Sequence, residues 1–282
     1  MKKIISKQNV LCSLADDLTV LEMPVGGRVA ADYPAEAYNY IEHRIDMNMY
    51  ILGFRNDDKF QNGEGREGYN GKNRKNIKCA WATNRNMTGE GIGFGDLIVI
   101  DTCKKPHKDS IIACFWDDEL VLKRCIKRKD EIELLSLHED IKPAISGETL
   151  SKIGVVTHVI KKFPCRNNSC NNYPEEVSNY LESGMDFNQY IIGKNYPETI
   201  FYLWAGGDSM TGDGIARGDL LVVDKLREHY EDSILVFYID RQFTLKRIRY
   251  EGDEAMLVSS NPQMKPIIVK EGNEVKKWGF NI

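Results

Sequence analysis

This 282-residue chain lacks several features that would have settled its class at once. No apolar run approaches the roughly 20 residues of a bilayer span, so no membrane helix is expected. The N-terminus, MKKIISKQNVLCSLADDL, starts basic, but Ser, Lys, Gln and Asn break its apolar stretches. It has no continuous apolar core of a secretory signal, and the chain reads as cytoplasmic. A strong charge of either sign is also missing. The net charge of −4 and pI near 5.8 leave no global basic field for nucleic acid, so direct sequence-specific DNA binding is not expected. The seven cysteines (Cys12, Cys79, Cys103, Cys114, Cys125, Cys165 and Cys170) are odd in number and form no CxxC pair. Cys165 and Cys170 lie in a polar stretch, but no second pair completes the four ligands of a zinc site. Neither a metal nor a cofactor is expected, and the thiols read as reduced.

What the chain does have is an internal repeat. GDSMTGDGIARGDLLVVD, from Gly207 to Asp224, parallels NRNMTGEGIGFGDLIVID, from Asn84 to Asp101. Met87 pairs with Met210, Gly95 with Gly218, Asp101 with Asp224 and Lys123 with Lys246, all at one offset of 123 residues. At that offset Ser209 faces Asn86. Upstream, Tyr33-Pro34 matches Tyr173-Pro174, and Tyr50-Ile51-Leu52-Gly53 matches Tyr190-Ile191-Ile192-Gly193, at an offset of 140. The first copy therefore carries 17 extra residues, within the polar segment 54–78. That segment buries little and reads as a loop or extended hairpin.

Short apolar runs follow at even spacing. Leu97–Ile100 matches Leu220–Val223, Ser110–Phe115 matches Ser233–Tyr238, and Leu120–Arg124 matches Phe243–Arg247. Asp117-Asp118 and Asp240-Arg241 mark hairpin turns. Leu134–Ser136 and Leu257–Ser259 add one strand to each copy. The pattern predicts a mainly β fold, with helices only within Glu36–Ile51 and Pro174–Ile192. The expected organisation is an arm over 1–32, one domain over 33–163, a linker over 164–172 and a second domain over 173–282. The second copy ends at WGFNI, where no counterpart of the first copy's closing strand is expected.

Ser209 and Lys246 are the residues that suggest chemistry. A serine hydroxyl is a weak nucleophile until a base takes its proton. A lysine is such a base only when neutral, which burial promotes by disfavouring the ammonium. Phe243, Leu245 and Ile248 flank Lys246 and offer an apolar wall. The turn at Ser209 can aim backbone N–H groups at a substrate carbonyl. Taken singly, the serine is an ordinary turn residue and the lysine an ordinary strand residue. What changes the balance is their order and spacing, 37 residues apart inside a repeated block.

The pattern GDSM-x3-GI-x2-GDLLVVD followed by FTLKRI resembles the self-cleaving domain of the LexA and UmuD proteins, serine–lysine peptidases related in fold to signal peptidases. YPAEAYNYIEHRIDMNMYIL resembles the opening of the mature UmuD domain, and IGVVTHVIKKF its closing strand. The resemblance implies two tandem LexA/signal-peptidase-like β domains forming a pseudo-dimer within one chain. It implies Ser209 as nucleophile, Lys246 as general base, and the Ser209 and Met210 amides as oxyanion donors. Asn86 and Lys123 become the degenerate site of the first copy. GRVAADYP resembles the family's cleavage loop, with Ala31–Asp32 the candidate scissile bond and Asn171–Asn172 its equivalent in the second copy. Asp32 departs from the family's glycine. Its carboxylate would favour the ammonium form of Lys246, so cutting is expected to be slow or conditional.

About 30 residues precede the first copy, too few for the helix-turn-helix domain of LexA-type repressors. The resemblance therefore favours the UmuD branch, in which arm removal serves translesion synthesis. Its partners would be a RecA–single-strand filament as stimulant and a Y-family polymerase. Two functions stay open: a self-cleaving peptidase of the DNA-damage response, and a non-cleaving fused-dimer module that docks a repair partner.

Overall fold

The computed structural model describes residues 12–13, 15, 23–29, 43–52, 74–83, 87–116, 119–128, 131–135, 150–163, 184–193, 199–239, 242–252, 254–269 and 275–281. Among them the chain is mainly β. The strands, numbered along the chain, are β1 (Cys12–Ser13), β2 (Met23–Val29), β3 (His43–Ile45), β4 (Ile77–Trp81), β5 (Leu97–Asp101), β6 (Ile111–Trp116), β7 (Glu119–Arg128) and β8 (Glu131–Leu135). They continue as β9 (Leu150–Ile160), β10 (Ile200–Ala205), β11 (Leu220–Asp224), β12 (Ile234–Ile239), β13 (Gln242–Glu251), β14 (Glu254–Val258), β15 (Ile267–Val269) and β16 (Val275–Asn281). The α-helices are α1 (Met47–Ile51) and α2 (Phe187–Ile192).

The chain divides into two compact units. One takes Met1–Thr19, Asn48–Lys162 and Ser169–Phe187, and the other Val20–Met47, Phe163–Asn168 and Asn188–Ile282. This division cuts across the continuous segments 33–163 and 173–282. The stretch that precedes the first copy's core belongs to the unit built on the second copy.

In the first unit the sheet order is β1-β4-β5-β9-β6-β7-β8. β5 reads Leu-Ile-Val-Ile because both of its faces are covered, and all four residues are buried. One face joins Ala80, Ile98, Ile100, Ala113 and Leu122 to Met87 and Ile92, and a second cluster gathers Ile112, Cys125, Leu134 and Val155.

In the second unit the order is β15-β14-β13-β12-β16-β11-β10-β2-β3. The core of that order, β10 to β14 with β16 inserted, repeats β4 to β8 with β9 inserted. Phe201, Leu203, Leu221, Val223, Val236 and Leu245 pack with Met210 and Ile215, and Leu235, Phe237, Ile248 and Leu257 form a second cluster. β2 pairs parallel with β10, Tyr202 opposite Val25 and Ala205 opposite Val29.

Three expectations need correcting. First, the second copy does have a closing strand. β16 lies between β11 and β12 as β9 lies between β5 and β6. The shared feature is a glycine at the crossing. A Cβ on Gly154 would stand 2.4 Å from the Asp101 carbonyl oxygen, and one on Gly279 2.4 Å from a Val223 methyl. WGFNI is thus the counterpart of IGVVT. Second, among the described residues of Glu36–Ile51, residues 43–45 are strand and Met47–Ile51 is the helix; in Pro174–Ile192 the helix among the described residues is Phe187–Ile192. Third, the end of segment 54–78 is ordered: Arg74–Asn76 form a 3-10 turn and residues 77–78 begin β4.

The short helices start on buried polar side chains. In the first unit Asn48 accepts the Phe187 N–H (2.8 Å) and donates to Asp186 (3.1 Å). In the second, Asn188 accepts the Met47 N–H (2.9 Å) and donates to Asp46 (2.9 Å). Each asparagine is fully buried, so these bonds satisfy groups that would otherwise be costly to desolvate.

Candidate active site

Ser209 lies just past β10, where the chain leaves the sheet and enters a 3-10 turn at Thr211–Asp213. The turn closes on the carbonyl of buried Met210, which accepts the Asp213 N–H (3.0 Å) and the Ile215 N–H (3.1 Å). Gly214, at φ 75°, provides the left-handed exit that a side chain would resist. Asn261 holds the turn from outside. Its backbone N–H donates to the Ser209 carbonyl (3.0 Å), and its side-chain amide donates to the Asp208 carbonyl (3.0 Å). Arg247 on β13 reaches both carboxylate oxygens of Asp213, at 2.6 and 3.1 Å. Among the described residues neither the Ser209 nor the Met210 amide is spent on an acceptor, which leaves two neighbouring donors beside the hydroxyl.

Lys246 comes from β13, directly opposite Leu235 of β12, and is 6% exposed. Burial pushes its pKa down from 10.5 to about 8. Its Nζ donates to the Thr244 hydroxyl (2.8 Å) and to the Leu245 carbonyl (3.1 Å). The Ser209 hydroxyl donates to that same Leu245 carbonyl at 3.2 Å. The two side chains thus converge on one oxygen atom without bonding to each other. The apolar wall differs from the sequence reading. By strand alternation Phe243 and Leu245 project to the opposite side of β13 from Lys246, into the cluster with Met210; Thr244 and Ile248 share its side.

The first unit keeps the frame. The Met87 carbonyl accepts the Glu90 and Ile92 N–H groups as Met210 does in the second, Gly91 sits at φ 73°, and Arg124 pairs with Glu90. Lys123 is buried, and desolvation lowers its pKa, partly offset by the nearby Cys114 thiol. Burial in turn pushes Cys114 up to about 11. Val121 stands where the second copy has Thr244.

Asn86, Ala31, Asp32, Asn171 and Asn172 lie outside the described residues. Thr244, the Leu245 carbonyl and Asn261 escaped the sequence reading. Only the first left a trace there, as the one Thr-to-Val difference beside a lysine kept in both copies. Among the described residues no group of three or more His, Cys, Asp or Glu side chains is placed to hold a metal, and no helix is long and apolar enough to cross a membrane.

The second unit is thus a β-rich unit that buries a lysine amine one carbonyl away from a serine in a glycine-rich turn, with its frame repeated in the same chain. The chain is a member of the Peptidase S24-like family, which matches residues 24–157 and again residues 167–281. It is similar to the LexA repressor of Anaeromyxobacter sp. (strain Fw109-5), 37% identical over 90 residues that make up 32% of this chain and 38% of the relative. Another similar protein is the LexA repressor of Anaeromyxobacter dehalogenans (strain 2CP-C), 30% identical over 131 residues, 46% of this chain and 52% of the relative. Protein ImpA of Salmonella typhimurium is 34% identical over 96 residues, 34% of this chain and 65% of the relative. The chain thus spans less than two thirds of the length of each of these relatives.

Proposed function

We propose that this protein is a self-cleaving serine peptidase of the DNA-damage response in which Ser209 cuts the chain's own Ala31–Asp32 bond. The observation that carries the reading is the convergence of the Ser209 hydroxyl and a buried, easily deprotonated Lys246 amine on the Leu245 carbonyl. The path of the arm supports it. β2 runs along β10 in the same sheet, also approaches β13, and ends at Val29 opposite Ala205. The candidate bond follows two residues later.

In the reaction, neutral Lys246 Nζ turns from the Leu245 carbonyl to take the Ser209 proton. Oγ attacks the Ala31 carbonyl carbon, and the oxyanion is met by the Ser209 and Met210 N–H groups. Collapse breaks the bond to Asp32, whose nitrogen leaves with the proton from the Lys246 ammonium. Water, deprotonated by the same amine, then releases Ala31 from Oγ and restores the hydroxyl. Nothing in this sequence uses a metal or cofactor.

A RecA–single-strand filament is the stimulant and a Y-family translesion polymerase the partner of the cut form; both follow from the likeness to the UmuD branch. Intact mass after incubation across pH, with and without an activated filament, tests the reading. Cutting should stop with Ser209→Ala or Lys246→Ala. A second reading, the non-cleaving docking module, is favoured by one observation: the hydroxyl is bonded to a carbonyl and not to its base. A chain that stays whole at every pH, even with filament, would support that second reading.

A further inference from the structure

The arm's first strand pairs with β4 of the first unit, and a pair of cysteines lies at that pairing. β1 and β4 are antiparallel, and Cys12 lies directly opposite Cys79. Directly opposed residues of such a ladder have Cα atoms about 4.5–5.5 Å apart, inside the range of about 4.4–6.8 Å that a disulfide spans. Both side chains are buried, at 1% and 0% exposure. Both are free thiols in the structure. We propose that Cys12 and Cys79 are a redox-modifiable pair, oxidised by a peroxide to a reversible disulfide that locks β1 onto the edge of the first unit's sheet.

Two features favour the pair over the chain's other buried thiols. β1 is two residues long and sits at the sheet edge, so it opens more readily than the interior strands and admits a small oxidant. The neighbouring Cys79 thiol and the nearby Lys78 charge also favour the thiolate at Cys12, the reactive form. In the first step the Cys12 sulfur attacks one peroxide oxygen, the O–O bond breaks, hydroxide leaves, and a sulfenic acid remains. The Cys79 sulfur then attacks the sulfenic sulfur. The S–S bond forms, the S–O bond breaks, and the oxygen leaves as water with the released protons. Two thiols are oxidised by two electrons and one peroxide is reduced to two waters. The consequence for the arm rests on the proposed function. Cys12 and Cys79 lie on either side of Ala31–Asp32, so the disulfide would hold a cut arm to the body until it is reduced.

The test uses the full chain with Cys103, Cys165 and Cys170 replaced by serine, treated with hydrogen peroxide and then alkylated in denaturant. The expected result is a mass lower by two hydrogens, two thiols withdrawn from alkylation, and a Cys12–Cys79 linked peptide on digestion, all reversed by dithiothreitol. Cys12→Ser and Cys79→Ser should each abolish the linkage. Four alkylated thiols after oxidation, stable sulfinic acid at Cys12, or Cys12 linked to Cys114 or Cys125 would overturn the proposal. A linked chain that is never cut upholds the disulfide and counts only against the peptidase reading. A cut, linked chain should run as one band without reductant and as two with it.

Discussion

In the second unit the buried lysine of β13 donates to a threonine hydroxyl and to a carbonyl that also receives a serine; in the first, Lys123 occupies the same ladder position with Val121 in place of the threonine and Cys114 nearby. Around both lysines the backbone is the same to fine detail. Asp109 and Asp232 share a left-handed conformation at φ 67° and 64°, and Ser110 and Ser233 each accept a backbone N–H at 3.0 Å. Packing demands the frame whether or not chemistry occurs. The copies part at the groups near the amine, Thr244 in one and Val121 with Cys114 in the other. Lys123 keeps its ladder position, and burial lowers its pKa as it does that of Lys246.

The sharpest way to break this contrast is to remove each half in turn. Ser209→Ala or Lys246→Ala should slow cutting by about 10⁴-fold or more, as loss of a nucleophile or its base does elsewhere. Lys123→Ala should leave the rate within about twofold, since the proposed reaction does not use that amine. Intact mass against time reads both. Equal losses in the two copies would mean the first unit takes part in the reaction.

Next in size is the effect of pH through Lys246. Its folded pKa, about 8, lies below the unfolded value of 10.5. Between those values the unfolded chain keeps a proton that the folded chain has shed, so stability rises with pH through the window. The penalty is present in full below about pH 8. Lys246→Met should therefore stabilise the protein by up to about 3 kcal/mol near neutrality, and the gain should fade as pH approaches 10.5. Denaturant melts at several pH values measure it. Cutting by the parent should rise with the neutral amine, half-maximal near pH 8. A midpoint near 10 would mean that the lysine is solvated.

The two crossing glycines give a smaller contrast. At Gly154 the added methyl meets a backbone oxygen at 2.4 Å, which cannot yield without moving β5; at Gly279 it first meets a valine methyl, with the backbone oxygen at 3.2 Å. Gly154→Ala should cost about 3 kcal/mol and Gly279→Ala about 1 kcal/mol, by denaturant melts.

These glycines also show what was legible in the sequence. The strands of both copies could be read from alternating and continuous apolar runs, because burial imposes those patterns directly. The closing strand of the second copy was hidden, since its only repeated mark is one glycine in a run otherwise changed. The entry of β2 into the second unit's sheet left no local sign, because parallel pairing through backbone groups asks little of side chains. The two candidate residues could be named from the sequence, but not the geometry around them. The Leu245 carbonyl is a backbone group, and any residue there would provide it.

The finest test of the contrast is Thr244→Val, which gives Lys246 the neighbour that Lys123 has. The threonine hydroxyl accepts a hydrogen bond from Nζ, and an acceptor favours the charged amine. Removing it should move the half-maximal pH of cutting toward acid. It should also leave the amine less well aimed when it turns from Leu245 to Ser209, lowering the plateau by about tenfold or less. A pH–rate profile separates the two effects, because the first shifts the curve and the second scales it. If the variant keeps both midpoint and plateau, the threonine is only a packing partner, and the divergence of the two copies lies wholly at position 209 and its counterpart at 86.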